Sequence, residues 1–246
     1  MKKIQPLHLN KIWGYEKWLH SPIPGRQTQV EDGTLVTNGP LIKIIKADKP
    51  LSIQVHPDDY LAKKLENEEN GKAECWYVLE ATPKSEFIVG ITTQDEKEIK
   101  AALKEKRFFK LLKTHTPSVG EFINVPAGLV HGVGQDSKVL EVQQPSDTTY
   151  RFYDYDRLEN GQPRELHVDK SIMSTKDLEW KLKSSEKLYE KYNIDKYSIS
   201  LFEKDHKNFQ INTKSILVDL TAEEAYYVEP GDEAQITFEK FALIEF

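Results

Sequence analysis

Gly120-Glu-Phe-Ile-Asn-Val-Pro-Ala-Gly-Leu-Val-His131 is the stretch on which the reading of this chain turns. It reads as a strand, a tight turn built on Pro126 and Gly128, and a second strand opened by His131. A strand that doubles back in this way aims His131 toward the interior. Leu51-Ser-Ile-Gln-Val-His-Pro57 has a related logic. Gln54 and His56 lie two apart in a β-like run, so they project from one face while Ile53 and Val55 point the other way. These two are half of a metal site, and Glu74 and His131 have the chemistry of the other half.

Around these stretches the 246 residues suffice for a full core, as one large β domain or two smaller ones. Charged residues are 30% of the chain and the net charge is −6, a balance that gives no footing for nucleic acid. Cys75 is the only cysteine, which excludes an internal disulfide and fits a reducing cytoplasm. The N-terminus lacks an apolar run of signal-peptide length, and no stretch is suited to spanning a bilayer. The expectation is a soluble cytoplasmic protein with no membrane partner; the sequence gives no oligomeric state.

In chain order, the prolines and glycines of residues 1–40 argue against long regular elements, with Trp13 and Trp18 in a packed lid or flank. Leu41–Lys46 reads as a strand, 58–69 as a short helical insertion, and Cys75–Leu79 and Ser85–Ile91 as strands. Thr93-Gln-Asp-Glu96 matches a capping box, and helical spacing predicts a helix over 94–113. Lys138–Gln143 and Thr148–Tyr153 are again β-like. Three units follow: 1–163 as a metal-binding catalytic domain with helical insertions, 164–191 as a lysine-rich helical linker, and 192–246 as a shortened C-terminal β domain. Short strands broken by Pro/Gly turns point to a mainly β jelly-roll or barrel.

Gly120 through His131 also fits the second sequence motif of the cupin jelly rolls at every defined position, with Gln135 at its usual terminal Asn. The first cupin motif has two histidines two apart and then an acid. Here Gln54 replaces one histidine, and Glu74 comes 18 residues after His56, a separation that the helical insertion absorbs. Two imidazoles, a carboxylate and an amide carbonyl suit one Zn²⁺ per chain with positions left open. Singly, each residue has a plainer reading: His56 as a hydrogen-bonded core histidine, Glu74 as a solvated charge.

From about Trp13 to Lys170 the chain resembles the type I mannose-6-phosphate isomerases. The resemblance rests on Leu51–Asp58, Pro126–His131 and Glu141-Val-Gln-Gln-Pro-Ser-Asp-Thr-Thr-Tyr-Arg151. Phe152–Arg157 and Arg164–Val168 resemble the shorter bacterial forms. It implies zinc ligands at Gln54, His56, Glu74 and His131, a sugar-phosphate substrate, and residues near the metal at Ser52, Lys72, Glu141, Asp147 and Arg151. Arg151 is the one most associated with activity. Many members read His-Lys-Pro-Glu where this chain has Gly71-Lys-Ala-Glu74, so no histidine role exists there. The C-terminal cupin-like domain of the family is reduced here and lacks a His/Glu cluster; His206 stands alone as a structural or solvent-facing residue.

The implied reaction interconverts mannose 6-phosphate and fructose 6-phosphate through an enediol. The proton carrier is left open among Glu141, a neutral Lys72 and a water at the metal. Glu141 could equally be a strand residue paired with Arg151, and Asp147 could serve only to orient Arg151. Ser52, Lys72 and Arg151 are available to the phosphate. Two rivals stand beside the isomerase: a non-catalytic sugar-phosphate-binding cupin acting as a sensor, and a metal-dependent oxygenase. Cys75 follows a ligand directly, so in a regular strand it points away from the metal as a buried structural residue.

Overall fold

A computed structural model describes residues 1–178, 182–183, 191–194, 196–203 and 209–246. His206, and the helical reading of 179–181 and 184–190, lie outside the described residues. The architecture is a stack of three antiparallel sheets, mainly β as the sequence predicts. The middle sheet orders its strands as Leu182–Lys183, Phe122–Val125, Glu74–Glu80, Ser137–Gln143, Leu41–Ala47, Gly14–His20 and Leu7–Lys11. On one side lies a five-stranded sheet of Tyr150–Tyr153, Ile53–Val55, His131–Gly132, Phe87–Ile91 and Leu112–His115. On the other lies a C-terminal sheet. Its five strands between Tyr192 and Glu245 are completed by Lys2–Gln5 and Gln29–Val30 from the N-terminus.

The middle sheet is covered on both faces, and its sequence shows it. Glu74–Glu80 sends Trp76 and Val78 into the core shared with the five-stranded sheet. Cys75 and Tyr77 go into the core shared with the C-terminal sheet. Leu41–Ala47 does the same, with Ile45 and Ala47 on one side and Ile42 and Ile44 on the other. Continuous apolar runs are what a sheet buried on two faces requires. Cys75 is fully buried in the C-terminal-side core, as the alternation predicts, and burial pushes its thiol's proton affinity up.

Three helices decorate the outer face of the five-stranded sheet. Helix α1 (Asp59–Glu66) lies within the predicted insertion; the Asp58 side chain accepts from Leu61 N at 2.9 Å, and Asn67 ends the helix at a left-handed φ of 59°. Helix α2 (Glu96–Lys104) is shorter than the expected 94–113. Asp95, not Thr93, caps it by accepting from Lys97 N and Glu98 N. Lys106 takes a left-handed φ of 56°, after which Phe108–Leu111 makes a 3₁₀ turn and Leu112–His115 becomes the edge strand against Phe87–Ile91. Edge pairing overrides helical spacing there. Helix α3 (Val168–Ser174) falls within the stretch read as a linker.

Residues 7–20 also depart from expectation. Leu7–Lys11 and Gly14–His20 form a regular hairpin rather than an irregular flank. Gly14 makes it possible: at φ 149° it passes so close to Lys46 that a Cβ would sit 2.0 Å from the Lys46 carbonyl oxygen.

Candidate metal centre and substrate cleft

The sheet registers bring two rows of side chains face to face. Across the middle sheet, Trp18 pairs with Lys43, Lys43 with Glu141, and Glu141 with Trp76. Across the five-stranded sheet, Arg151 pairs with Gln54 and Gln54 with His131. Glu74 lies two residues before Trp76 and shares its face. His56 sits just past the end of its strand, tied to the Pro126–Gly128 turn by Gly128 N donating to His56 O at 3.0 Å. The two stretches quoted from the sequence are thus hydrogen-bonded to one another.

His56, Glu74 and His131 present ligand atoms all within 4.8 Å of one another. The two imidazoles approach to 3.2 Å between their Nε2 atoms, and Glu74 lies 3.4 Å from His56 Nε2 and 3.5 Å from His131 Nε2. Leu129 O holds His131 Nδ1 at 2.8 Å, which leaves Nε2 facing the cluster. Burial, ahead of any neighbouring charge, keeps both imidazoles below their ordinary proton affinity, so they stand neutral with lone pairs available.

The donor set fits a divalent cation on a further observation. Glu74 is fully buried, yet neither of its oxygens has a hydrogen-bond partner among the described residues, a costly arrangement unless a cation neutralises them. The Lys72 ammonium stands 3.4 Å from Glu74 and 3.0 Å from His56 Nε2, a positive charge lodged against the same ligand atoms. Gln54 Nε2 lies 3.4 Å from His131 Nε2 while its Oε1 accepts from the Ser52 hydroxyl at 3.0 Å; a half-turn of the amide presents the carbonyl instead.

A cleft of about 400 Å³ opens beside this cluster. Ser52, Gln54, Lys72, Glu141, Asp147 and Arg151, all named from the sequence, line it. Their partners differ from the sequence reading at two places. Glu141 is paired with Lys43 at 3.2 Å and accepts from Trp76 Nε1 at 3.0 Å, and not with Arg151. Asp147 makes its ion pair with Arg26, at 2.5 Å, and not with Arg151. Burial first, then the charge of Glu74, raises Glu141's proton affinity above the ordinary carboxylate range.

Sequence reasoning missed Lys43, Glu16, Trp18 and Arg26. Lys43 is buried, and although burial opposes its charge, Glu16 and Glu141 together hold it firmly protonated. Its ammonium lies 5.2 Å from the Trp18 ring, and Trp18 Nε1 donates to Glu16 at 2.6 Å. The signal was present: a lysine inside Leu41-Ile-Lys-Ile-Ile, a run too apolar for an exposed face.

No family model matches the chain. It is 38% identical over 165 residues, 67% of its length, to mannose-6-phosphate isomerase ManA of Bacillus subtilis, covering 49% of that protein. It is 42% identical over 133 residues to mannose-6-phosphate isomerase of Streptococcus mutans, covering 42% of it. The chain spans about half the length of the curated relatives it matches. The crystal structure of mannose 6-phosphate isomerase from Bacillus subtilis superposes over 100% of this chain and 99% of that one, with a TM-score of 0.73 at 23% identity. A mannose 6-phosphate isomerase bound with zinc and yttrium superposes over 99% of this chain and 98% of that one, with a TM-score of 0.63 at 14% identity. In sequence and in fold, this chain is a relative of the mannose-6-phosphate isomerases, built on their cupin architecture.

Proposed function

We propose that the chain is a zinc-dependent aldose–ketose isomerase interconverting mannose 6-phosphate and fructose 6-phosphate. The observation that carries this reading is the buried His56–Glu74–His131 cluster beside a cleft lined by Lys43, Glu141 and Arg151. Zinc held by Gln54, His56, Glu74 and His131, one ion per chain, supplies Lewis-acid stabilisation of negative charge on a sugar oxygen. The protein's own groups must then move a proton from C2 to C1 of the open-chain aldose, and a hydroxyl proton from O2 to O1.

Glu141 is the group best placed to carry the carbon-bound proton. Trp76 Nε1 and the Lys43 ammonium hold one carboxylate oxygen each, which fixes its plane. A carboxylate held in this way can take the proton and return it, a contribution of roughly 10²–10⁴-fold. Lys72 and Arg151 add positive charge beside the oxygens on which the enediolate charge develops. Ser52 orients Gln54 through its hydroxyl.

Lys43–Glu141 also favours an enzyme over a sugar-phosphate sensor, because binding alone has no use for a buried proton carrier. Gln54 in place of a further histidine favours isomerisation over oxygen chemistry. All of these groups fall within 1–163, which we assign as the catalytic domain, with 164–191 as linker and 192–246 as a shortened C-terminal β domain. No helix among the described residues is long and apolar enough to cross a membrane. A coupled assay for fructose 6-phosphate tests the reading: zinc-loaded protein turns over mannose 6-phosphate, and His56→Ala loses both metal and turnover. Turnover that persists without metal, or none by zinc-loaded protein, overturns it.

A further inference from the structure

Glu141-Val-Gln-Gln-Pro145 carries two consecutive glutamines that the chemistry above does not use, and both are buried. Gln143 turns its amide back on its own chain: Nε2 donates to Gln144 O at 2.9 Å and to Ser146 O at 2.7 Å. That fixes the backbone just past the strand Ser137–Gln143. Gln144 reaches the other way, to the segment that delivers Lys72 and Glu74. Its Oε1 accepts from Ala73 N at 2.8 Å, its own N donates to Ala73 O at 3.0 Å, and its Nε2 donates to Asp59 Oδ1 at 3.0 Å.

Residues 71–73 precede the strand Glu74–Glu80 and lie outside its ladder, yet each of their N–H groups has an acceptor. Gly71 N donates to Asp59 Oδ1 at 2.7 Å, Lys72 N to Pro57 O at 2.9 Å, and Ala73 N to Gln144. Asp59 Oδ1 thus accepts from both Gly71 and Gln144, and joins the start of α1, the 71–73 segment and residue 144. Space demands the glycine. A Cβ on Gly71 would lie 2.5 Å from Asp58 C and 2.6 Å from both Asp59 N and Pro57 O, all of them backbone atoms. The segment is therefore pressed against the turn that follows His56. From it Lys72 and Glu74, two residues apart, both turn toward His56 Nε2, at 3.0 Å and 3.4 Å. Neither Glu74 oxygen has a hydrogen-bond partner among the described residues, so this carboxylate is placed by the backbone that carries it.

We infer that Gln144 is a positioning residue of the metal centre: with Asp59 and Gly71 it clamps residues 71–73, so that Glu74 and Lys72 stand ready beside His56. The inference rests on the metal-dependent reading of the site. A side-chain amide suits the task, because it offers one acceptor and two donors in a single plane. A carboxylate would lack the donor that Asp59 takes, and an apolar residue would leave Ala73 N without its acceptor.

The test measures zinc affinity by competition with a chromophoric chelator, beside urea unfolding of the zinc-free protein and steady-state kinetics on mannose 6-phosphate. Gln144→Leu removes donor and acceptor at similar volume and should weaken zinc binding by roughly 10-fold, the lower end of what the outer partners of a metal site contribute. Asp59→Ala, at an exposed position, should weaken it in the same direction by less. Asp59→Asn keeps an oxygen for both donors and should recover most of that loss. Lys196→Ala controls for the 3.9 Å contact of the other Asp59 oxygen and should leave zinc affinity unchanged. A purely structural role for Gln144 would lower urea stability and leave zinc affinity alone. Zinc affinity at the wild-type level in Gln144→Leu and Asp59→Ala overturns the inference, and Asp59→Ala alone decides it if Gln144→Leu does not fold. Weakened zinc affinity in these variants, when zinc-loaded wild type shows no turnover, upholds the clamp while removing the isomerase reading. A wild-type chain that binds no zinc removes both.

Discussion

At the scale of single residues the site is a set of buried charges, each held by a named partner. Glu141 is fixed by Trp76 and Lys43, and its side chain is the proposed proton carrier. Glu141→Gln keeps the shape and removes the proton chemistry; kcat should fall about 10²–10⁴-fold while zinc content stays at wild-type level. Arg151 is different, because its buried Nε has no hydrogen-bond partner among the described residues. If it stabilises charge formed in the transition state, Arg151→Ala should lower kcat by roughly 10²–10³-fold with metal unchanged, and Arg151→Lys should recover little of it. A raised KM with kcat nearly preserved would instead assign it to ground-state binding. Cys75, one residue from Glu74, faces the opposite core. Cys75→Ser should leave zinc content and turnover near wild type while costing about 1–3 kcal/mol of stability, measured by urea unfolding. Loss of zinc from a folded Cys75→Ser protein would show that the strand register is wrong.

The elements explain why some features can be read from sequence and others cannot. Strands with local punctuation were readable: Phe122–Val125, the Pro126–Gly128 turn and His131 announce themselves through turn chemistry, and α1 through its Asp58 cap. Elements whose form depends on distant partners were not. Leu112–His115 is an edge strand only because Phe87–Ile91 offers free backbone groups, and Gly14–His20 is a strand only because Leu41–Ala47 lies beside it. The partner of Arg26, 121 residues away, has no local trace either. His20, at the end of that strand, shows the same dependence on long-range packing. It is fully buried between Pro40 O at 2.6 Å and the Tyr227 hydroxyl at 2.9 Å, and burial pushes its proton affinity down to about 4. The unfolded chain, with an ordinary imidazole near 6.5, therefore binds a proton that the folded chain refuses as pH falls from about 6.5 toward 4. Stability should drop through this window, with His20 contributing about 2 kcal/mol of loss between pH 7 and pH 5. His20→Gln should remove that share of the slope in urea unfolding at the two pH values. An unchanged slope would mean that His20 is not held neutral by this seam.

For the molecule as a whole, the cupin architecture and the grouping of His56, Glu74 and His131 were readable because they rest on two short motifs. The joining of the sheets was not. Five C-terminal strands look too few for a sheet of their own kind, and the structure completes them with Lys2–Gln5 and Gln29–Val30, which no local pattern marks as their partners. The core between the middle and C-terminal sheets contains none of the proposed ligands, so the fold should survive removal of metal. Zinc should nevertheless stabilise it, because neither buried Glu74 oxygen has a hydrogen-bond partner among the described residues: at zinc about 1,000-fold above its dissociation constant the gain is about 4 kcal/mol, or roughly 10 °C in Tm. A Tm that does not move on chelation and zinc return would count against the cluster as a metal centre. The most direct test of the central claim follows the reaction itself. Zinc-loaded protein is incubated with mannose 6-phosphate in D₂O, and the products are followed by proton NMR. The account predicts fructose 6-phosphate, carrying deuterium at C1 wherever the protein-held proton has exchanged with solvent, and no product from His56→Ala. Mannose 6-phosphate left unchanged by the zinc-loaded wild-type chain would contradict it.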